Sequence, residues 1–193
     1  MAGVRHLVCA AGVSLIALGT VSAQTPPSSG RVGFTVGVGA MYGNLVGGDF
    51  TGSKAGPGFD ANAGVVLHRW QLGIAYDRTN HGHAGTNGDY IVSNVYVEPR
   101  LLFPGARRWT PYAAARLGRA MASYGDAVGL TEKATGYMAA IGAGLVWPLA
   151  AHVQADAAAH YARLSHDYDT GGFTDAEKGG QASVRVGVRY GTR

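Results

Sequence analysis

Hydrophobic and polar residues alternate with a period of two along most of the chain after residue 31. The first such segment begins at Val32 and places Phe34, Val36 and Val38 on one face. Glycine and threonine occupy the positions between them. Successive side chains of a β-strand point to opposite faces, so this pattern predicts a strand with one apolar face. The alternation returns in seven more segments, which begin near residues 59, 70, 90, 111, 137, 152 and 183.

The connections between these segments alternate in length. Most predicted strands have about 9–13 residues, the length of a tilted strand that crosses a bilayer. Long loops at one end and short turns at the other are typical of an outer-membrane barrel whose short turns are periplasmic. The pattern therefore predicts an all-β protein over residues 31–190, an eight-stranded antiparallel up-and-down transmembrane β-barrel. The predicted long loops are Gly43–Gly58, Thr79–Asp89, Ala122–Thr135 and Ser165–Gly180; the others are His68–Arg69, Phe103–Thr110 and Pro148–Ala151.

The apolar face is expected to meet lipid and the polar face to line the interior. Every predicted strand repeats alanine, valine or leucine on one face, which would aggregate in water. The charged residues share the other face with glycine, which relieves crowding inside a narrow barrel. Buried charges must pair, so the sequence predicts a lumenal ion network in which Glu98 pairs with Arg100 or Arg116. Its predicted members are Asp60, Asp77, Glu98, Arg100, Arg116, Asp156, Arg185 and Arg189, with His152 and His160 on the same face.

The fifth segment, Pro111 to Met121, alternates least clearly. We place Arg116 and Gly118 inside the barrel, and Arg119 then faces outward near the interface. Ala113, Ala115 and Leu117 are expected to face lipid.

Aromatic residues divide between the two ends of the predicted strands. The tryptophans lie beside the shorter connections, and tyrosines lie near the long loops. Amphipathic rings favour the membrane–water interface, so the distribution predicts two girdles. Their predicted members are Trp70, Trp109, Trp147, Tyr42, Tyr76, Tyr90, Tyr137, Tyr161 and Tyr190.

The N-terminus has the three parts of a secretory signal. Arg5 and His6 precede an apolar run, Leu7 to Leu18, which is too short to span about 30 Å of hydrocarbon as a helix. Val21-Ser22-Ala23 predicts cleavage after Ala23, and residues 24–30 read as a disordered leader. The sequence thus predicts a signal peptide over residues 1–23 and export to the bacterial outer membrane.

Composition excludes several kinds of chemistry. Cys9 is the one cysteine and leaves with the predicted signal, so no disulfide, thiol nucleophile or cysteine metal site is expected. The formal charge of +4 is mild and scattered, which argues against a nucleic-acid partner. Only 15% of residues are charged, few for a soluble surface. We expect no cofactor.

Candidate catalytic and metal-binding groups are weak. Ser165 with His166, or His160 with Ser165, would place the two partners on opposite faces of a strand, so no enzyme is predicted. His81-Gly82-His83 offers two histidines alone, which is a weak metal site. A small gated pore is the first alternative and a lipid-modifying enzyme the second.

The predicted long loops carry both signs of charge. Loops on a rigid scaffold often carry function, so a structural or surface-interaction role is expected. The expected partners are outer-membrane lipid and lipopolysaccharide, the barrel-assembly machinery, and an extracellular protein or host surface. The rim residues are Lys54, Lys133, Lys178, Asp49, Asp126, Glu132, Asp167, Asp169, Asp175 and Glu177.

Several short runs resemble a known group of proteins. They are Tyr96-Val97-Glu98-Pro99-Arg100 before a turn, Pro111-Tyr112 opening a strand, and Gly142-Ala143-Gly144. Together with the aromatic-ended final strand, they are similar to the small outer-membrane β-barrel superfamily of OmpX and the OmpA membrane domain. The resemblance covers roughly residues 31–190 and transfers no catalytic residue. Such barrels usually end on an aromatic residue that the assembly machinery reads, whereas Gly191-Thr192-Arg193 follow Tyr190 here.

Overall fold

In a computed structural model, the chain forms eight antiparallel β-strands that close into a barrel. The structure describes residues 32–50, 52–82, 89–103, 108–125, 131–170 and 173–192. The predicted signal peptide and leader lie outside these residues. Each strand pairs with its sequence neighbours, and β1 pairs with β8. The strands are β1 Val32–Val46, β2 Gly56–Leu67, β3 Trp70–Gly82, β4 Asp89–Leu102, β5 Thr110–Gly125, β6 Thr131–Pro148, β7 Val153–Thr170 and β8 Phe173–Thr192.

The predicted fold is confirmed, and the predicted lipid-facing residues are on the outside. Phe34, Val36 and Val38 are exposed on β1, as are Leu72 and Ile74 on β3. The assignment of β5 also holds. Arg116 is buried inside, while Leu117 and Arg119 are exposed on the exterior. Alternation therefore predicted the facing of every strand.

The predicted long loops are wrong in length. The strands have 12 to 20 residues and continue into each predicted loop. The region predicted as Gly43–Gly58 reduces to residues 47–55, and Ser165–Gly180 reduces to a connection at residues 171–172. The loops predicted as Thr79–Asp89 and Ala122–Thr135 shorten to residues 83–88 and 126–130. We call this end of the barrel the hairpin end.

The opposite end, which we call the turn end, carries the short connections from β2 to β3 and from β6 to β7. His68 and Arg69 join β2 to β3, with His68 at φ 55°. The chain also ends here, where Gly191 donates its backbone N–H to the His152 carbonyl at 2.8 Å. Gly191 and Thr192 thus continue β8 beyond Tyr190, while Arg193 lies outside the described residues.

A single-turn 3-10 helix, Gly48–Phe50, folds over the hairpin end after β1. Gly47 at φ 67° and Gly48 at φ 60° precede Phe50, a backbone conformation that glycine adopts without a steric penalty. Of the residues that the structure describes, none belongs to a helix long and apolar enough to cross a membrane.

Proline interrupts the sheet at one place. Val97 pairs with Leu117 and Arg100 with Ala114, but the pairing lapses between them at Pro99. Proline has no N–H to donate to a β-ladder. Glu98 and Arg116 therefore have no paired partner across β4 and β5, but their side chains meet inside the barrel.

Candidate functional site

Asp156 is the centre of the charged interior. Its Oδ2 atom contacts Arg100 at 2.9 Å and Arg189 at 3.0 Å, and its Oδ1 atom contacts Arg185 at 3.0 Å. The Tyr112 hydroxyl donates a hydrogen bond to Oδ1 at 3.0 Å. One carboxylate therefore holds three guanidinium groups that come from β4 and β8.

Glu98 forms the second centre. It contacts both Arg100 and Arg116, the two partners that the sequence offered. Arg116 also approaches Asp77 at 3.7 Å, and Asn94 donates to Asp77 at 2.7 Å. Arg100 thus bridges the two centres, because it contacts Glu98 and Asp156 together.

The network extends around the wall to two neutral side chains, Asn62 and Gln71. Asp60 accepts from Arg185 at 3.2 Å and from Asn62 at 3.0 Å. Arg189 donates to the Gln71 side chain at 3.0 Å. A buried charge needs such additional hydrogen bonds to offset its lost hydration.

The structure brings all eight predicted charged residues together, and none is more than 5% exposed. Four carboxylates and four guanidiniums give this set no formal net charge. We call the eight residues the ion layer. They are Asp60, Asp77, Glu98, Arg100, Arg116, Asp156, Arg185 and Arg189.

The two histidines predicted for the same face separate. His160 is buried, and its Nε2 atom lies 3.8 Å from Glu98. The prediction for His152 is wrong, because its side chain is exposed in the β6–β7 turn and lies beside Tyr190. The pattern was extended one residue too far, since β7 begins at Val153.

Two inward tyrosines lie against the ion layer and were missed, and one of them, Tyr96, also contacts the apolar residues above it. The guanidinium of Arg116 lies 4.6 Å from the centre of the Tyr96 ring, and that of Arg100 lies 4.7 Å from the Tyr112 ring. A cation over an aromatic face is attracted by the ring quadrupole. The alternation could have identified them, because Tyr96 lies on the same face of its strand as Glu98 and Arg100.

Glycine provides the space for these large side chains. A Cβ atom on Gly144 would lie 2.5 Å from the Tyr112 ring, and one on Gly142 would meet the His160 ring. Bulky inward groups on one strand therefore lie against glycine on the next. This explains why glycine shares the inner face with charged residues.

Towards the hairpin end the interior becomes apolar. Phe50 from the 3-10 turn is buried there, with its ring 5.9 Å from that of Tyr90 and 6.0 Å from that of His166. We call the buried cluster around it the apolar layer. Its members are Leu45, Phe50, Ala75, Tyr90, Val92, Tyr96, Ala120, Ala122, Ala134, Met138, Ala140, Ala162 and Leu164.

The outer surface changes in the opposite sense at the same height. Each strand carries an apolar stretch on its outward face, and its last large residue is followed one outward position later by a different kind of residue. Val46, Ile91 and Met121 are apolar again farther towards the hairpin end. The last large residues of the apolar stretches are Tyr42, Phe59, Tyr76, Val95, Leu117, Tyr137, Tyr161 and Val184. The residues that follow are Asn44, Pro57, Arg78, Ser93, Arg119, Thr135, Arg163 and Ala182. We call this second ring the collar.

Five of the eight last apolar residues are aromatic, which places a girdle at the hairpin-end boundary. Tyr42, Tyr76, Tyr137 and Tyr161 were predicted there, and Phe59 was missed. Trp70, Trp109 and Tyr190 are exposed at the turn end, with Trp147 partly exposed beside them. The prediction for Tyr90 is wrong, because Tyr90 is 7% exposed and points into the apolar layer.

His81 lies beyond the girdle and has a defined hydrogen-bond chain. Its Nδ1 atom contacts the Lys54 carbonyl at 3.1 Å, so this nitrogen carries the proton. Its Nε2 atom therefore accepts from the Thr79 hydroxyl at 2.8 Å, and Thr79 accepts from Gln181 at 3.0 Å. Burial lowers the pKa of His81 below its ordinary value.

Both His81 nitrogens are thus occupied by protein groups, and His83 lies outside the described residues. No group of three or more potential metal ligands occurs in the described part of the chain.

His166 is fully buried in the neighbourhood of Phe50 and Tyr90. Neither of its ring nitrogens has a hydrogen-bond partner among the residues that the structure describes, and burial lowers the pKa of His166 to about 4. Ser165, the next residue, is on the outward face. Neither His160 nor His166 can therefore activate Ser165, because the strand wall separates the two inward rings from the outward hydroxyl.

An ion-paired interior surrounded by an apolar exterior defines the class of protein. The arrangement is that of a transmembrane β-barrel rather than of a soluble carrier barrel, in which the apolar residues are inside.

Solved structures share this fold. Neisserial surface protein A matches with a TM-score of 0.67 and 18% identity, covering 81% of this chain and 96% of that one. The Ail protein of Yersinia pestis, solved in complex with the heparin analogue sucrose octasulfate, matches at 0.54 and 17% identity, over 84% and 99%. The N-terminal barrel of Pseudomonas aeruginosa OprF matches at 0.51 and 17%, over 82% and 97%. The predicted resemblance to small eight-stranded outer-membrane barrels is confirmed at the level of the fold.

No protein-family profile and no curated protein matches the sequence.

Proposed function

We propose that this protein is an integral barrel of the bacterial outer membrane, exported by a cleaved signal peptide, with a sealed interior and a structural or surface-binding role. The observation that carries the proposal is the reversal of polarity at the girdle. Below it the outside is apolar and the inside is ionic, and above it the outside is mainly polar and the inside is mainly apolar, with Thr79, His81, His166 and Gln181 buried among the apolar residues. Only a surface that passes from lipid into water favours both arrangements in one strand.

The height of the apolar exterior fits a bilayer. On β1 it extends over residues 32–42. With a rise of about 3.3 Å per residue and a tilt of about 40°, this stretch is roughly 25 Å tall. That is the height of the apolar band of outer-membrane barrels. Outer-membrane barrels place their short turns in the periplasm, so we expect the turn end in the periplasm and the hairpin end outside the cell.

Membrane fractions separated by gel electrophoresis with and without boiling test the proposal. A closed barrel resists the detergent until it is heated, so the unboiled protein should migrate differently. The protein should also remain in the outer-membrane fraction after a urea wash. Identical migration together with recovery in the soluble fraction would contradict the membrane assignment.

The sealed interior makes a second prediction. Every member of the ion layer is buried and paired, so we expect no constitutive channel and no stable conductance in planar bilayers. Repeated conductance steps of uniform size would favour the alternative of a small gated pore. The lipid-modifying enzyme has less support, because Ser165 and the two inward histidines face apart.

A surface-binding role and a purely structural role predict different outcomes of loop removal. The connections at residues 83–88 and 126–130 can be replaced with two-residue Asn-Gly turns without cutting into a paired strand. A surface binder should still insert and should lose its partner, whereas for a structural protein both replacements should be silent. The Ail complex with a polysulfated sugar supports the first role, because it shows that this fold can present an anion-binding surface.

A further inference from the structure

The turn end has no acidic residue in its sequence segments. The chain contains twelve aspartates and glutamates, and four of them belong to the ion layer. The other eight fall in the segments of the hairpin end, at residues 47–55, 83–89, 126–132 and 167–177. None occurs in the connections from β2 to β3, from β4 to β5 or from β6 to β7, or after residue 177.

The charged residues of the turn end are all arginines. The hairpin end mixes six lysines and arginines with its eight carboxylates, whereas the turn end carries cations alone. Arg69 and Arg108 are exposed, with His68 and His152 exposed at the same end. Every ion pair among the described residues lies in the barrel interior, and none involves Arg69 or Arg108. The arginines in the turn-end segments of the sequence are Arg31, Arg69, Arg107, Arg108 and Arg193.

The two described arginines lie on either side of the end of β4. Leu102 donates its backbone N–H to the Arg69 carbonyl at 2.8 Å, and Phe103 donates to the Pro111 carbonyl at 2.8 Å. The end of β4 therefore lies between the β2–β3 turn and the start of β5, which Arg108 precedes by two residues. Neighbouring strands are about 4.8 Å apart, so the backbone of the turn and that of β5 are about 10 Å apart.

Exposed aromatic rings lie beside both arginines. Trp70 follows Arg69, Trp109 follows Arg108, and these two rings and that of Phe103 are at least 36% exposed. Cations next to tryptophan at the edge of an apolar band are typical of the headgroup layer of a bilayer. An acidic protein in the periplasm would use the arginines alone. A lipid would use the arginines through its phosphate and the apolar wall through its acyl chains, which favours a lipid.

The absence of carboxylates from these turn-end segments determines which headgroup fits. A zwitterionic headgroup carries an ammonium group as well as a phosphate, and the turn-end sequence offers no anion to pair with that ammonium group. A headgroup with a net negative charge lacks this mismatch. The fork of N–H donors on each arginine can hold a phosphate in a bidentate manner.

We propose that the turn end is a docking surface for anionic phospholipids, in which Arg69 and Arg108 bind headgroup phosphates and Trp70, Phe103 and Trp109 contact the adjoining glycerol and acyl region. The inference rests on the proposed function, because it needs a barrel that spans a bilayer with the turn end at the headgroups of the inner leaflet. The mixed charges of the hairpin end favour no such headgroup.

Tryptophan fluorescence measures the lipids at this end directly. The chain has three tryptophans, Trp70, Trp109 and Trp147, and all of them lie at the turn end. The full chain is refolded into vesicles of phosphatidylcholine and phosphatidylglycerol in which one of the two lipids carries bromine on its acyl chains. Bromine quenches a tryptophan that it contacts, so the two quenching curves give the preference of the turn end for either lipid in either orientation of the barrel.

The native protein should enrich phosphatidylglycerol over phosphatidylcholine around its tryptophans. The double variant Arg69→Gln and Arg108→Gln should reduce this preference at least about fivefold, because each cation near an anionic surface favours association by about that factor. The matched control is Arg78→Gln and Arg119→Gln, two collar arginines at the hairpin end, and it should keep the native preference. Raising the salt to about 0.5 M should weaken the preference of the native protein.

Two outcomes would overturn the docking surface while leaving the proposed function intact. They are equal quenching of the native protein by the two brominated lipids, and equal loss of preference in the two double variants. Binding of soluble polyglutamate by the native protein without a lipid preference would assign the turn end to an acidic protein instead. A native protein that neither brominated lipid quenches is not in the bilayer, and this result would contradict the membrane barrel itself.

Discussion

The ion layer and the apolar layer fill the same barrel with opposite chemistries. In the ion layer, Asp156 alone holds three guanidiniums, and glycines make room for large polar groups. In the apolar layer, Phe50 enters from a turn outside the sheet and packs on Tyr90. The strands are continuous through both layers, so the difference lies in the side chains and their surroundings.

The comparison teaches that the medium outside the wall determines what the wall encloses. Where the exterior meets lipid, apolar side chains are favoured outside and the polar ones collect inside. Where the exterior meets water, the hydrophobic effect drives apolar side chains inward, as in a soluble protein. The girdle marks the change, and on β7 it occurs between Tyr161 and Arg163.

Removing the centre of the ion layer should have the largest effect. Asp156→Asn leaves Arg100, Arg185 and Arg189 with insufficient negative charge in a buried site. Breaking a buried ion pair by removing one partner costs about 3–5 kcal/mol. Unfolding by urea in lipid vesicles should show this loss, and Asp167→Asn, an exposed control, should change the unfolding free energy by less than about 0.5 kcal/mol. Equal stabilities would mean that the ion layer does not hold the barrel together.

The stability of the apolar layer should depend on Phe50. Phe50→Ala removes a buried ring, and we expect a loss of roughly 3 kcal/mol, the low end for buried phenylalanine because a turn can partly collapse. Faster proteolysis of residues 47–55 should accompany the change. A variant with native unfolding and native proteolysis would show that the apolar layer forms without this residue.

Space in the ion layer can be tested without changing charge. Gly142→Ala would bring a Cβ atom against the His160 ring and within 2.6 Å of the Ala159 carbonyl oxygen. Overpacking of this kind costs about 2 kcal/mol. Gly82→Ala is the control, since its Cβ atom would lie 3.8 Å from Lys54. If the two alanine variants unfold alike, the glycines are not needed to make room.

The smallest effect should come from the unpaired histidine of the outer half. His166 lies beyond the girdle with its pKa lowered to about 4. The unfolded chain binds a proton near pH 6.5 and the folded one does not, so stability is complete above pH 6.5 and declines as the pH falls towards 4. His166→Met should reduce this decline and raise stability at pH 7 by about 1 kcal/mol, because no ring nitrogen is then left without a partner.

Unfolding followed by tryptophan fluorescence from pH 7 to 4.5 measures this dependence. His152→Met, an exposed histidine, is the control and should keep the native pH dependence. A native slope in the His166 variant would assign the acid sensitivity to another group.

The polarity reversal also explains where sequence reasoning failed. The strand prediction stopped when the outward positions lost their apolar residues, as at Tyr161, although β7 continues to Thr170. The loop was predicted to begin at Ser165, two residues after Arg163 appears on the formerly apolar face. The alternation had not ended there but had inverted, with Leu164 now inside and Arg163 outside. Tyr90 was misplaced for the same reason.

The sequence by itself determined the number of strands, their facing within the membrane and the eight charged residues of the interior. A period of two is a local property, because each side chain takes the face opposite to its neighbour. The tertiary structure alone decided which charges meet, since Arg100 on β4 reaches Asp156 on β7 only after the barrel closes. It also decided the true strand lengths, because whether an outward residue meets lipid or water depends on its height in the finished barrel and not on its neighbours in the chain.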